Sequence, residues 1–188
     1  PAVPGESFTS SDAALFNLGL CLELALNDGR GRVFTDPIGL PTGDPRVFTN
    51  MEAVIDAYRR QVEYLVGLMV QGLDALGAVH RDYKPTPFLS SFTADCLARG
   101  LDVTAGGARY NFTGVQGVGT ATVGDSLTAI RQLIFQERRL TWDELLAALD
   151  ANFEGYERVR QLLLNHAPKY GNDDEAADAF ARLAAEIY

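Results

Sequence analysis

A glycine-rich stretch, residues 106–119, constrains the fold more than any other part of the sequence. It has five glycines in fourteen residues. Glycine suits backbone positions that take left-handed angles or lie close to another group. Within the stretch, residues 109–113 predict a short buried strand, and the residues from Thr120 onward predict a helix. A glycine entry, a strand and a glycine exit into a helix are typical of an α/β sheet or barrel. We therefore predict an α/β fold.

The same glycines do not form a nucleotide-binding motif. No Lys-Ser or Lys-Thr pair follows them, and the Gly-x-Gly-x-x-Gly order is absent before the helix. We therefore interpret them as structural glycines that shape the backbone, not as a phosphate-binding loop.

The first apolar segment predicts a helix. Ser10 or Ser11 is placed to cap it, and the apolar pattern continues to about Asn27. The pattern is apolar nearly all round, which is typical of a helix buried inside a large protein. Because residue 1 is proline, we also expect the chain to be an internal segment of a longer polypeptide.

Two capping boxes indicate further helices. Thr49 and Glu52 predict the start of a long helix that continues to about residue 76, and Thr141 and Glu144 predict a second start. Residues 80–85 are expected to form a polar turn. Shorter helices are expected at residues 87–99, 122–138 and 156–165, and after a cap at Asn172 or Asp173.

Charge and cysteine content limit the partners and the compartment. The 188-residue chain has a formal net charge of −9, which argues against nucleic acid and anionic membranes as partners. We find no apolar run long enough to cross a membrane. Cys21 and Cys96 lie in apolar segments without metal-ligand spacing, so we interpret them as buried, reduced thiols in a reducing compartment.

Asp12 is the candidate functional residue that the pattern itself offers. In the first turn of an apolar helix, a carboxylate is stabilised by the helix dipole and free amides. Alternatively, it lies at the rim of a buried pocket, where it takes a proton or binds a hydroxyl group. We find no catalytic triad, metal site or nucleotide motif in the sequence.

Several longer stretches together resemble the glycyl radical enzymes of the pyruvate formate-lyase type, with a pattern nearest the diol dehydratase branch. The resemblance covers essentially all 188 residues. The stretches that carry it are LCLELALNDG (residues 20–29), TGDP (42–45), the glycine-rich stretch with TATVGDSL after it, ANFEGY (151–156) and APKYGNDD (167–174).

This resemblance implies a ten-stranded β/α barrel made of two antiparallel half-barrels. Residues 1–188 would then be one partial, helix-rich barrel domain from the second half-barrel. Gly106, Gly107, Tyr110 and Asn111 would form a structural loop near the barrel.

The resemblance also implies radical chemistry whose central residues lie outside the chain. A Gly-Cys-x-Glu loop would lie just before Pro1, and the glycine that stores the radical would lie beyond Tyr188. Cys21 and Cys96 do not match the catalytic cysteine. An iron–sulfur, S-adenosylmethionine-dependent activase would install the radical, and this segment would bind no cofactor and be inactive alone.

The family pattern assigns a role to Asp12, which matches an aspartate that binds the substrate hydroxyl in the diol dehydratase branch. Ser11 matches a neighbouring pocket position. These matches favour elimination of water or another group from a small hydroxylated substrate. The family resemblance also implies a cytoplasmic enzyme of an anaerobic bacterium and a homodimer. Two alternatives stay open. One is a carbon–carbon lyase, either formate acetyltransferase-like or an arylacetate decarboxylase, and Phe8 and Phe16 would suit an aromatic substrate. The other is a non-catalytic fragment that complements a split barrel.

Overall fold

Helices dominate the computed structural model, which describes residues 10–33 and 37–188. Two strands form one small parallel sheet. The strands are β1 (Ser10–Asn17) and β2 (Phe112–Val118), and the α-helices are α1 (Leu18–Ala25), α2 (Met51–Tyr83), α3 (Pro87–Ser91), α4 (Cys96–Arg99), α5 (Thr120–Ile130), α6 (Trp142–Asp150), α7 (Glu157–Asn165) and α8 (Glu175–Ile187). Short 3-10 turns cover Pro45–Val47 and Val103–Ala105, and a π-helix covers Arg131–Gln136. The α/β prediction is confirmed.

The chain divides into two compact units. Among the described residues, the first unit contains 10–16 and 67–116, and the second contains 17–66 and 117–188. In the second unit, α5 and α8 pack so closely that a Cβ atom added to Gly124 would lie 2.9 Å from the Cβ of Ala181. The fully buried side chains of this unit include Leu24, Tyr58, Val62, Leu127 and Leu133.

The predicted first helix is wrong in its first half. Residues 10–17 form β1, and the helix begins only at Leu18. Asn17 caps it, since its Oδ1 accepts a hydrogen bond from the backbone N–H of Leu20 at 3.1 Å. Ser10 and Ser11 therefore do not cap a helix, and Asp12 does not lie in a helical first turn. A short apolar run does not distinguish strand from helix by itself.

The strand in the glycine-rich stretch lies later than predicted. It covers Phe112–Val118 and continues through two glycines. At Gly117 a Cβ atom would lie 2.8 Å from ring carbons of Tyr188, so glycine makes room for that ring. The exit is Gly119, at φ 100°, which precedes the first residue of α5. Gly119 therefore marks the change from strand to helix.

The capping predictions have mixed outcomes. The capping box of Thr141 and Glu144 is confirmed. At the start of α2, Asn50 is the cap instead of Thr49, because its Oδ1 accepts from the N–H of Ala53 at 2.9 Å. The last helix is capped by Asp174, one residue beyond the predicted positions.

Helix lengths also differ from the predictions. Residues 80–83, predicted as a polar turn, continue α2. The predicted helix at residues 87–99 is divided into α3 and α4, and Asp95 lies before α4 with φ 73°. The predicted helix at 122–138 begins as α5 and ends in the π-helix, after which the N–H of Glu137 donates to the carbonyl of Gln132 at 2.8 Å.

Helix α2 corrects the expectation about apolar runs. By length and composition alone, Met51–Tyr83 qualifies as a helix that could cross a membrane. Of its apolar window 6% is buried. Core helices of soluble proteins and signal sequences satisfy the same criterion, so length and composition do not identify α2 as a membrane span.

Candidate functional site

Asp12 and Ser11, the predicted substrate-binding residues, lie in β1. Their side chains lie outside the described part of the structure. Further along the strand, Leu15 is 68% exposed and Phe16 is 7% exposed. The roles of Asp12 and Ser11 stay predictions.

The two cysteines are free and buried, which agrees with the interpretation of inert thiols. Burial raises the pKa of Cys21 to about 12. Its thiol donates to the backbone carbonyl of Asn17, with 3.5 Å between sulfur and oxygen. A thiol that stays protonated at neutral pH is a poor nucleophile.

The predicted structural loop begins with two glycines that serve backbone geometry. Gly106 has φ 81°, in the left-handed region. At Gly107 a Cβ atom would clash with the carbonyl oxygen of Leu101. Tyr110 and Asn111, which precede β2, are exposed. The proximity of this loop to a barrel stays a prediction.

Asp102 organises the chain just before this loop, and the sequence analysis missed it. Its carboxylate accepts hydrogen bonds from the hydroxyls of Ser90 and Thr104, each at 2.6 Å. The backbone N–H groups of Thr86 and Thr104 donate to it at 3.0 and 2.9 Å. The hydroxyl of Ser90, with these other donors, holds the pKa of Asp102 far below its usual range. The Asp-x-Thr spacing, typical of a capping turn, was the available signal.

The TGDP stretch forms part of a loop that Gln61 fastens to α2. Gln61 is fully buried, and its amide group accepts from the N–H of Leu40 at 3.0 Å and donates to the carbonyl of Leu40 at 2.7 Å. Asp44 accepts from the N–H of Arg46 at 2.9 Å and thereby caps the turn at Pro45–Val47. These contacts give the TGDP stretch a structural role in holding the loop against α2.

Within residues 10–33 and 37–188, no group of three or more His, Cys, Asp or Glu side chains is placed to hold a metal ion. The chemistry that this chain offers at the predicted site is that of one carboxylate, Asp12, and one hydroxyl, Ser11.

Comparison with known proteins gives a consistent result. A family model described as pyruvate formate lyase-like matches residues 1–188. The chain is 43% identical over 172 residues to trans-4-hydroxy-L-proline dehydratase of Clostridioides difficile. That match covers 92% of this chain and 22% of the dehydratase.

Solved structures agree with the sequence match. The C. difficile hydroxyproline dehydratase, with trans-4-hydroxy-L-proline bound, superposes with a TM-score of 0.88 at 40% identity. The B12-independent glycerol dehydratase of Clostridium butyricum gives 0.85 at 37% identity. A glycyl radical enzyme from Archaeoglobus fulgidus gives 0.84 at 42% identity. Each match covers 93% of this chain and 22% of the other chain, so this chain spans about a fifth of the length of its relatives.

Proposed function

Because this chain belongs to the pyruvate formate lyase-like family of glycyl radical enzymes, we propose that the whole enzyme is a glycyl radical lyase. It eliminates water or another leaving group from a small hydroxylated substrate. The 43% identity to a dehydratase over nearly the whole chain carries this proposal. The glycerol dehydratase supports it, since both relatives are dehydratases and hydroxyproline and glycerol both bear hydroxyl groups.

The contribution of this chain is a carboxylate at position 12. The stored radical, held outside residues 1–188, supplies the removal of a hydrogen atom from the substrate. The carboxylate of Asp12 accepts a hydrogen bond from the substrate hydroxyl and takes its proton as the neighbouring group leaves. An interaction that strengthens as negative charge develops on that oxygen lowers the barrier to elimination.

The remaining assignments concern partners. Following the family resemblance, we assign the iron–sulfur group and S-adenosylmethionine to a separate activase and derive no step through them. We further propose a homodimer in the bacterial cytoplasm under anaerobic conditions. The bacterial origin of the dehydratases supports the host assignment.

The proposal is tested with Asp12→Asn in the activated whole enzyme. We expect kcat to fall by about 100-fold or more, because loss of a proton acceptor typically costs a factor of this size. Asp173→Asn, at an exposed position, removes the same charge elsewhere and is the matched control. Radical content, measured by electron paramagnetic resonance, separates failed activation from failed turnover. Undiminished turnover in Asp12→Asn would refute the assigned role.

Ser11→Ala tests the second predicted substrate-binding residue. If position 11 contacts the substrate, KM rises and kcat changes less, because the hydroxyl would act in binding. If Ser11→Ala impairs turnover and Asp12→Asn does not, position 11 contacts the substrate and the assignment of Asp12 is wrong.

The arylacetate decarboxylase alternative was suggested by two phenylalanines, of which Phe8 lies outside the described residues and Phe16 is buried. We give preference to elimination because Asp12 matches the aspartate of the diol dehydratase branch and because the relatives compared above are dehydratases. Product analysis of the whole enzyme distinguishes the two, because a carbon–carbon lyase releases a one-carbon product such as formate or carbon dioxide, whereas a dehydratase releases water.

A further inference from the structure

An ion pair between Asp95 and Arg109 holds the chain at the entry to β2. Two nitrogens of the Arg109 guanidinium group donate to the two oxygens of the Asp95 carboxylate, Nε at 2.9 Å and Nη2 at 3.1 Å. Two parallel hydrogen bonds fix the orientation of the guanidinium group as well as its distance from the carboxylate. Arg109 lies three residues before the first residue of β2, so the ion pair restrains the strand where it begins.

The backbone around this ion pair is held as well. The backbone N–H of Arg109 donates to the carbonyl of Ala94 at 3.4 Å, and Nη1 of Arg99 donates to the carbonyl of Ala108 at 3.4 Å. Asp95 has φ 73°, in the left-handed region that residues with side chains seldom occupy. Such a conformation persists where the surrounding contacts determine it. The ion pair and these backbone bonds therefore specify one path for the chain into β2.

The strand that begins beside this ion pair is the partner of the strand that contains Asp12. β2 pairs with β1 in the parallel sheet. The two strands end together, because a Cβ atom added to Gly119 would lie 3.4 Å from the backbone nitrogen of Gly19. Asp12 lies five residues before the end of β1, and Thr113 lies five residues before the end of β2. Since paired strands rise equally per residue, position 12 of β1 is level with the first residues of β2.

We propose that Asp95 and Arg109 are positioning residues for the elimination reaction, because their ion pair fixes the entry of β2 and β2 in turn fixes the backbone of β1 at Asp12. This inference rests on the proposed function, in which the carboxylate of Asp12 binds the substrate hydroxyl. The side chain of Arg109 is 62% exposed, and exposed ion pairs contribute little to stability. A displacement of about 1 Å at a catalytic group, in contrast, costs up to about 100-fold in rate. The ion pair therefore affects turnover more than it affects folding.

The test removes each side of the ion pair in the activated whole enzyme. Arg109→Gln removes the charge, and Arg109→Lys restores it without the two parallel bonds. Asp95→Asn removes the charge and keeps a residue type that tolerates the left-handed region. Arg81→Gln is the matched control, because Arg81 forms the same kind of two-bond ion pair with Asp82, at 2.7 and 3.2 Å, within a single helix. The value of kcat, the value of KM, the radical content and the unfolding midpoint are measured for each variant.

We expect Arg109→Gln and Asp95→Asn each to lower kcat about ten-fold, because both release the entry of β2. KM should change less than kcat, and the radical content and the unfolding midpoint should stay close to those of the unchanged enzyme. Arg109→Lys should recover part of the lost kcat, and Arg81→Gln should leave kcat unchanged. In an Asp12→Asn background the loss caused by Arg109→Gln should shrink to about two-fold or less, since residues that act through one another are not additive.

An unchanged kcat in Arg109→Gln and Asp95→Asn would overturn the proposal. A loss that keeps its full size in the Asp12→Asn background would also overturn it, because the ion pair would then act on another part of the enzyme. A loss of kcat that is matched by a loss of radical content or of the unfolding midpoint would show a structural role instead. Asp12→Asn alone tests the proposed function, so the failure of that function is distinguished from a failure confined to the ion pair.

Discussion

Asp102 shows how a single side chain defines a local structure. Its carboxylate joins α3 to the turn at Val103–Ala105 through hydroxyl and backbone donors. Donors that favour the ionised form lower the pKa of a carboxyl group, as they do here. A group whose pKa is lower in the folded state stabilises the fold above its unfolded pKa and loses this effect as pH falls.

We therefore predict that Asp102→Asn lowers the midpoint of denaturant unfolding at pH 7. The difference in unfolding midpoint between the variant and the unchanged protein should shrink as pH falls below about 4, the ordinary aspartate range. Below that pH the carboxylate of Asp102 contributes less to the free energy of unfolding. Urea unfolding from pH 7 to pH 3 measures this. Asp74→Asn, at an exposed position of α2, is the control. A difference that grows in acid would contradict the prediction.

For single residues, roles that depend on sequence neighbours could be predicted, and roles that depend on distant segments could not. The cysteines were identified correctly as buried, because apolar neighbours indicate burial. The position of Asp12 came from a family match and not from its surroundings. The ion pair of Arg32 with Asp150 joins positions 118 residues apart, and a sequence pattern carries no such information.

At the scale of elements, the contact between α5 and α8 depends on small residues. An added Cβ at Gly124 would lie 2.9 Å from the backbone nitrogen of Ala181 as well as from its Cβ. Such a distance forces the two helices apart. At position 124 the close packing of α5 against α8 therefore restricts the choice of side chain more than helix propensity does.

We predict that Gly124→Ala destabilises the protein by about 1–3 kcal/mol, since overpacking outweighs the gain in helix propensity. Gly72→Ala is the matched control, because an added Cβ there meets nothing within 4 Å. That change should stabilise α2 by up to about 1 kcal/mol. The unfolding temperatures of the two variants should therefore shift in opposite directions, and an unfolding temperature of Gly124→Ala that stays the same or rises would show that the helices separate without cost.

The elements were predictable where the deciding interactions are local. The box of Thr141 and Glu144 lies within one turn and was found. The strand Ser10–Asn17 was mistaken for a helix because its partner, β2, lies about a hundred residues further along the chain. Tertiary pairing overrides local preference, and an apolar pattern read alone does not contain that pairing.

At the scale of the whole molecule, the exposed second half of α2 is the main feature. Leu76 and Val79 are 55% and 51% exposed. Single exposed apolar residues are ordinary, but contiguous ones indicate a surface that binds something. Since the chain spans about a fifth of its relatives, the remaining polypeptide of the proposed whole enzyme is the natural cover.

We predict that the isolated chain associates with itself as its concentration rises, and that Leu76→Gln with Val79→Gln reduces this association. The polar side chains remove apolar area that would otherwise be buried between copies. Sedimentation velocity over a concentration series measures the effect. Val47→Gln, at an exposed apolar position outside α2, should change little. A chain that stays monomeric throughout would show that this surface needs no cover and would favour a self-standing module.

The π-helix at Arg131–Gln136 has a consequence for how this protein tolerates insertions and deletions. Its hydrogen bonds reach back one residue further than those of an α-helix, as the bond from Glu137 to Gln132 shows. Such widened turns accommodate one additional residue in a helix. Removing a residue there would restore ordinary helical spacing and leave the register of Trp142 and its neighbours unchanged. Relatives that differ in length by a single residue are therefore expected to differ at this point.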